Sequence, residues 1–292
     1  MRHRQTVIVA LISAAAFAVS AGFARGESNG PRTLMRWSYG SPPSDEKSPL
    51  DEPLEADRPD FTESPKTVGK GVVQLEMGYT FTSDSGGGVH TADHSFPETL
   101  LRVGVLADWL EFRAEWNYEI ERTRQGGISQ TESGTDDLIL GFKIALTQQQ
   151  GCLPETGIIL DLSLPTGSDA FTTGAVQPGV DYCFSWELCK DWSLSGSTAI
   201  GGAADDVTGD PYTEFSQSLS LGHTFNEKLD GFSEFYVLSP ISADTNRPQD
   251  YYNAGFAVHI NNDVQWDIRA GVGLNEAADN FFAGSGLTLR FY

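Results

Sequence analysis

Ten ionisable residues fall at alternating positions in otherwise apolar stretches: Glu76, Arg102, Glu111, Arg113, Glu115, Lys143, Asp161, Asp181, Asp267 and Arg269. Carboxylates interleaved with arginine and lysine can serve two ends. Lining a water-filled passage, they set which charges pass. In a filled interior they neutralise one another as a salt-bridge network. Catalysis has weaker support. Glu111 and Glu115 make a carboxylate pair of the kind used in glycoside hydrolysis, but any regular polar face produces such pairs. His223 shares a stretch with Ser216, Ser218 and Ser220, yet no GxSxG occurs in the sequence. His90 and His94 with Asp84 and Asp93, or Asp205 with Asp206 and Asp210, could meet a divalent cation. Neither group has the offsets of a calcium loop, and solvated loop charge is the plainer account. No catalytic residue, metal ligand or cofactor is expected.

The elements that must hold the ionisable ladder follow from its period. In LEFRAEWNYEI, residues 110–120, Leu110, Phe112, Ala114, Trp116, Tyr118 and Ile120 share one side, and Glu111, Arg113, Glu115, Asn117 and Glu119 the other. Period two is a β-strand with one apolar and one polar face. Similar segments recur at 72–82, 98–107, 137–147, 157–165, 177–187, 191–201, 213–225, 231–239, 250–261, 264–273 and 281–291. Ten residues at ~3.3 Å rise and a tilt of about 40° span roughly 25 Å, the apolar height of an outer-membrane barrel. Strands of soluble sandwiches are usually nearer five or six residues.

Short and long connections alternate. Asn/Asp/Lys turns join some strand pairs, as in HTFNEKLDGF and HINNDVQW, while polar stretches such as SDSGGGVHTADHSF and ERTRQGGISQTESGTD join others. An up-and-down antiparallel transmembrane β-barrel of about 12 strands, with short periplasmic turns and long outer loops, predicts this alternation. Its apolar faces would meet lipid, and the charged ladder would face the lumen. Trp109, Trp116, Trp186, Trp192 and Trp266, at or near strand ends, suit an interfacial girdle.

Residues 1–26 read as a secretory signal peptide, with a basic head, an apolar run and small residues at its end. The net charge is −21, and the signal carries Arg2, Arg4 and Arg25 with no acidic residue, so the exported chain is more acidic still. Charge-driven binding of nucleic acid is excluded. Residues 27–68 hold seven of the 14 prolines among Ser, Asp and Glu, the composition of a flexible periplasmic lead. At its end Asp57, Arg58, Asp60 and Phe61 could tuck into the barrel mouth as a partial plug or simply tether the first strand, the tether being slightly preferred. Barrel residues would then run 69–292. Of three cysteines, Cys152 and Cys189 fall on neighbouring periplasmic turns and could form a disulfide, whereas Cys183 should face the lumen. The last strand alternates Leu287, Leu289 and Phe291, resembling the C-terminal signal read by barrel-assembly machinery.

Several stretches in order resemble one family, the outer-membrane transporters grouped under the MetA pathway of phenol degradation. They are ADRPDFTESPKTVGKGVVQLEMGYTF at 56–81, GTDDLILGFKIAL at 134–146, LSLPTGS at 162–168, QPGVDY at 177–182 and TEFSQSLSLGHTFNEKLDGFSEFY at 213–236. The resemblance covers roughly 56–292. It implies a porin-like β-barrel in the outer membrane of a Gram-negative-type bacterium, in contact with lipid and passing small apolar or aromatic molecules. Two alternatives stand beside this expectation. One is a structural or adhesive barrel with a closed lumen and acidic, cation-binding loops; the other is a secreted soluble β-sandwich.

Overall fold

The computed structural model describes residues 32–36, 50–205 and 208–292. The signal peptide expected at 1–26, and most of the lead up to residue 49, lie outside the described residues. Fourteen strand segments form one antiparallel sheet: β1 (Val73–Gly86), β2 (Val89–Gly104), β3 (Leu110–Trp116), β4 (Tyr118–Gln125), β5 (Ile128–Thr135), β6 (Leu138–Thr147), β7 (Glu155–Leu164), β8 (Gln177–Cys189), β9 (Trp192–Ala204), β10 (Pro211–Asn226), β11 (Leu229–Ile241), β12 (Gln249–Asn261), β13 (Val264–Gly273) and β14 (Phe281–Phe291). β14 returns to β1, pairing from Val73↔Phe291 to Ser83↔Phe281, and this closes the barrel. Around the closed wall each strand is paired on both sides, as a sheet in lipid requires, and only the upper segment β5 pairs on one side, with β4.

The wall has 12 strands because two of them are each built from two segments. β2 pairs with β3 below and with β4 above, while β3 pairs with β6 and β4 with β5. The run 110–120, expected as one strand, is therefore interrupted at Asn117. There the Asn117 carbonyl accepts from the Asp136 amide at 3.1 Å.

Two expected outer loops are instead hairpin extensions of the wall. β1–β2 turns at Gly87 and Gly88, and β4–β5 at Gly126 and Gly127, all four with positive φ. A two-residue turn of this hand suits the twist of the flanking strands. Those strands stand above the apolar band, where water meets both faces, so their sequence carries no alternation. The residues expected in the first loop lie in them: His90 and His94 on β2 share hydrogen bonds of 2.8 Å with Ser85 and Tyr79.

Burial is the reverse of a soluble sheet. Glu76, Glu111, Lys143 and Asp267 are 0% exposed, whereas Phe142, Leu160, Phe256 and Trp266 are more than 40% exposed. The polar faces point inward and the apolar faces outward, so the apolar side of β3 lies on the outside of the barrel. Trp109, Trp186, Trp192 and Trp266 gather at the short-turn end, while Trp116 sits beside the interruption at Asn117.

Candidate functional site: a segment seated in the lumen

Strand register sets charged residues directly across the ladder from one another, alike in one pair and opposite in the other. Arg102 on β2 lies opposite Arg113 on β3, and Glu111 opposite Lys143 on β6. Two arginines directly across a ladder repel, and inside a barrel they need an anion. Glu111 lies against both, 2.8 Å from Arg102 and 3.6 Å from Arg113, and Asp57 adds a second anion from far along the chain. Lys143 Nζ donates to both Asp57 carboxylate oxygens at 2.7 Å, Arg102 reaches one of them at 3.3 Å, and Arg113 bonds the same oxygen. Burial alone would raise the Asp57 carboxyl, but Arg102, Lys143 and Arg113 outweigh it and hold it well below the usual carboxylate range. Glu63 shares two of those cations, accepting from Arg113 at 3.0 and 3.1 Å and from Lys143 at 3.4 Å. Burial, only partly offset by Arg113 and reinforced by the Asp57 charge, pushes Glu63 up to about 8.

The backbone from Leu54 to Lys70 thus runs inside the barrel, where its amides have no strand to pair with and must find other acceptors. Wall carboxylates provide them. Glu76 accepts from the amides of Asp57 and Arg58 at 3.1 and 3.2 Å. Glu234 on β11 accepts from those of Phe61 at 2.8 Å and Thr62 at 2.7 Å, Glu111 from Val68 at 2.9 Å, and Asp108 from Lys70 at 3.0 Å. Arginines meet the carbonyls: Arg102 donates to those of Glu55 and Lys66 at 3.2 and 3.0 Å, and Arg269 to that of Pro59 at 2.9 Å. Such a match of donors and acceptors marks a built seat rather than a chance inclusion.

Glycines clear the path. Gly78 on β1 and Gly286 on β14 are cross-strand partners, and a Cβ on either would collide with the Arg58 side chain. That guanidinium bonds Glu98 at 2.7 Å and lies 3.5 Å from Asp267. A Cβ at Gly157 would stand 2.6 Å from the Pro65 carbonyl, and one at Gly104 would strike the Gly69 carbonyl.

Beyond the Glu234 clamp, toward the long-loop end, Phe61 stacks on Tyr236 with centroids 4.4 Å apart and planes 7° from parallel. Tyr236 stacks on Tyr251 at 4.8 Å, and Tyr251 meets Phe282 edge-on at 6.0 Å. Arg269 lies 5.5 Å over the Phe282 ring. This aromatic row belongs to β11, β12 and β14. Glu115, Asp161 and Asp181, on the inward faces of β3, β7 and β8, are partly exposed.

The ten wall residues expected to face inward all do so. Glu76, Arg102, Glu111, Arg113 and Lys143 converge on the segment, and Asp267 and Arg269 meet its Arg58 and Pro59. Of the residues offered as plug or tether, Asp57, Arg58 and Phe61 lie against the interior wall, Asp57 on Lys143, Arg102 and Arg113, Arg58 on Glu98, and Phe61 on Tyr236. Glu234, Glu63, Asn253, Tyr236 and Tyr251 were missed. An inward carboxylate at Glu234 was legible from the alternation of β11, but its partner was not.

The disulfide is also corrected. Cys152 and Cys189 are exposed and free, and buried Cys183 is free as well. Other contacts join those turns: Trp186 Nε1 donates to the Cys152 carbonyl at 3.1 Å, and Gln149 donates to the Glu187 carbonyl at 3.1 Å while accepting from its amide at 2.7 Å. Asp205 is engaged too, accepting from the amides of Thr245 and Asn246 at 2.6 and 3.2 Å, and no acidic or histidine cluster among the described residues is arranged to hold a metal ion.

The fold is similar to that of an outer membrane channel from Pseudomonas putida F1, with a TM-score of 0.61 and 13% identity over 81% of this chain and 100% of that one. It is also similar to the β domain of the Bordetella autotransporter BrkA (TM-score 0.52, 10% identity, 75% and 99% covered). The transport unit of the Escherichia coli autotransporter AIDA-I gives a TM-score of 0.51 at 8% identity, with 76% and 89% covered. These are likenesses of fold, that of an outer-membrane barrel. No curated protein matches the sequence. The model of one family, described as the MetA-pathway of phenol degradation, matches residues 56–291. A match of that extent, on a closed barrel of this kind, means that the chain belongs to the MetA-pathway of phenol degradation family.

Proposed function

We propose that this outer-membrane barrel passes small, uncharged aromatic or apolar molecules, and that the seated segment sets whether its lumen is open. The observation carrying this reading is the aromatic row of Phe61, Tyr236, Tyr251 and Phe282 in a wall that is otherwise polar and charged. Rings facing a polar lumen offer flat apolar surface to a planar solute, and offset stacking stabilises such contacts by about 0.5–1.5 kcal/mol each. The inward carboxylates disfavour anions. Export by the segment 1–26, insertion through the β14 signal and contact of the outward faces with outer-membrane lipid complete the proposal.

The test is uptake of phenol and of benzoate into liposomes carrying the purified barrel. Phenol entry above that of empty liposomes, with benzoate lagging, supports the reading. A barrel that admits neither is the closed structural alternative, which the segment seated in the lumen favours and the engagement of Asp205, His90 and His94 in hydrogen bonds does not.

A further inference from the structure

Resting on the proposed passage of aromatic solutes, we infer that the ring of Phe61 occupies an aromatic-ring binding site on Tyr236, one that a free solute ring takes over. The stack is nearly parallel, at 4.4 Å and 7°, and Tyr236 is backed by Tyr251 at 4.8 Å and 17°. A surface of two stacked rings accepts any planar ring of similar size, since stacking depends on the π face more than on substituents. Phe61 is only partly buried, whereas Tyr236 and Tyr251 are 9% and 4% exposed. The covering ring is thus the one open to the lumen, and the covered rings belong to the wall. The row continues through Phe282 to the outer end, where Ala278 packs against it.

The surroundings define the ligand class. Glu234 lies two residues before Tyr236 on the same face, Glu63 follows Phe61 by two residues, and Glu115, Asp161 and Asp181 lie on the inward faces of β3, β7 and β8. Glu234 and Glu63 are taken up by the segment and its cations, so the carboxylates partly open to the lumen are Glu115, Asp161 and Asp181, which suit a ring bearing a hydrogen-bond donor, such as a hydroxyaromatic or an aromatic amine, and oppose an aromatic carboxylate. A self-occupied site has a lowered apparent affinity, reduced by the fraction of molecules in which it is free. Displacing Phe61 also loosens the chain at the two amides Glu234 holds, those of Phe61 and Thr62. Binding at this site therefore favours release of the segment.

Calorimetric titration of the full chain in detergent with phenol tests the inference, using Phe61→Ala and Phe61→Leu, alone and combined with Tyr236→Ala. Each preparation is first checked for the gel shift of a folded barrel. The expected result is phenol affinity at least about tenfold higher in either Phe61 variant, lost again with Tyr236→Ala, and no comparable gain for benzoate. Unchanged affinity in both Phe61 variants, or a gain that survives Tyr236→Ala, overturns it. Liposome uptake on the same preparations separates the two levels. Phenol entry without the affinity change discards the Phe61 site and keeps the passage, whereas no entry in any variant discards the passage itself.

Discussion

Lys143 Nζ lies 2.7 Å from both carboxylate oxygens of Asp57, 86 residues away in sequence, and the lysine is wholly buried. This contact joins an unpaired stretch of chain to the barrel wall at the point where Arg102 and Arg113 also converge. A buried cation group without its anion is strongly unfavourable. The segment and the barrel wall therefore hold each other in place.

Removing one partner should release the segment. Asp57→Asn removes the carboxylate shared by three buried cations, which keep Glu76, Glu111 and Glu63, so the cost should fall below the roughly 3–5 kcal/mol of a fully broken buried pair. Lys143→Met in the same chain should recover part of this loss, because one of the three cations goes with it. Limited proteolysis within residues 54–70 checks the order: wild type slowest, the single variant fastest, the double variant between.

The glycine pair under Arg58 gives an independent lever. Gly286→Val or Gly78→Val places side-chain carbons where the guanidinium lies and should displace the segment without touching its charges. Higher single-channel conductance with an unchanged heat-dependent gel shift is the expected outcome. Adding Arg58→Ala should restore much of the low conductance of the parent.

Glu234→Gln keeps the shape of the clamp and removes its charge. Three donors from the segment, the amides of Phe61 and Thr62 and the Thr62 hydroxyl, then face a weaker acceptor. Hydrogen bonds to charged groups contribute about 1.5–3 kcal/mol each, against roughly 1 for neutral ones. Cleavage near Phe61 should quicken more than cleavage near Val68, which Glu111 still holds.

Acidity should act on the seat from two sides. Asp57 has a depressed seated value, so its contribution is full above the free carboxyl range near about 3.9 and is lost as pH falls through the seated value. Glu63 runs oppositely: its contribution is full below about 4.3 and is lost as pH rises through about 8. Protease protection of the segment should therefore decline in strong acid and, separately, between mildly acidic and alkaline pH. Glu63→Gln should flatten only the alkaline limb.

The barrel was legible because each membrane strand alternates. In β1, Gln74, Glu76, Gly78 and Thr80 face in, while Leu75, Met77, Tyr79 and Phe81 face out. The hairpin tips around Gly87 and Gly126 were not legible, since strands wet on both faces carry no period. Neither was the seat. Residues 54–70 have the proline-rich, acidic composition of a solvated chain, and their partners lie up to 210 residues away, as with Pro59 and Arg269. One signal was present but unread: inward positions that elsewhere carry large polar side chains hold glycine at Gly78, Gly104, Gly157 and Gly286, where another piece of chain must pass.

The most direct measurement is conductance across planar bilayers of the full chain beside a variant lacking residues 27–68, each confirmed as folded by its gel shift. A seated segment that governs passage predicts small, infrequent currents in the full chain and larger, steadier ones in the variant. Equal currents from the two would contradict it.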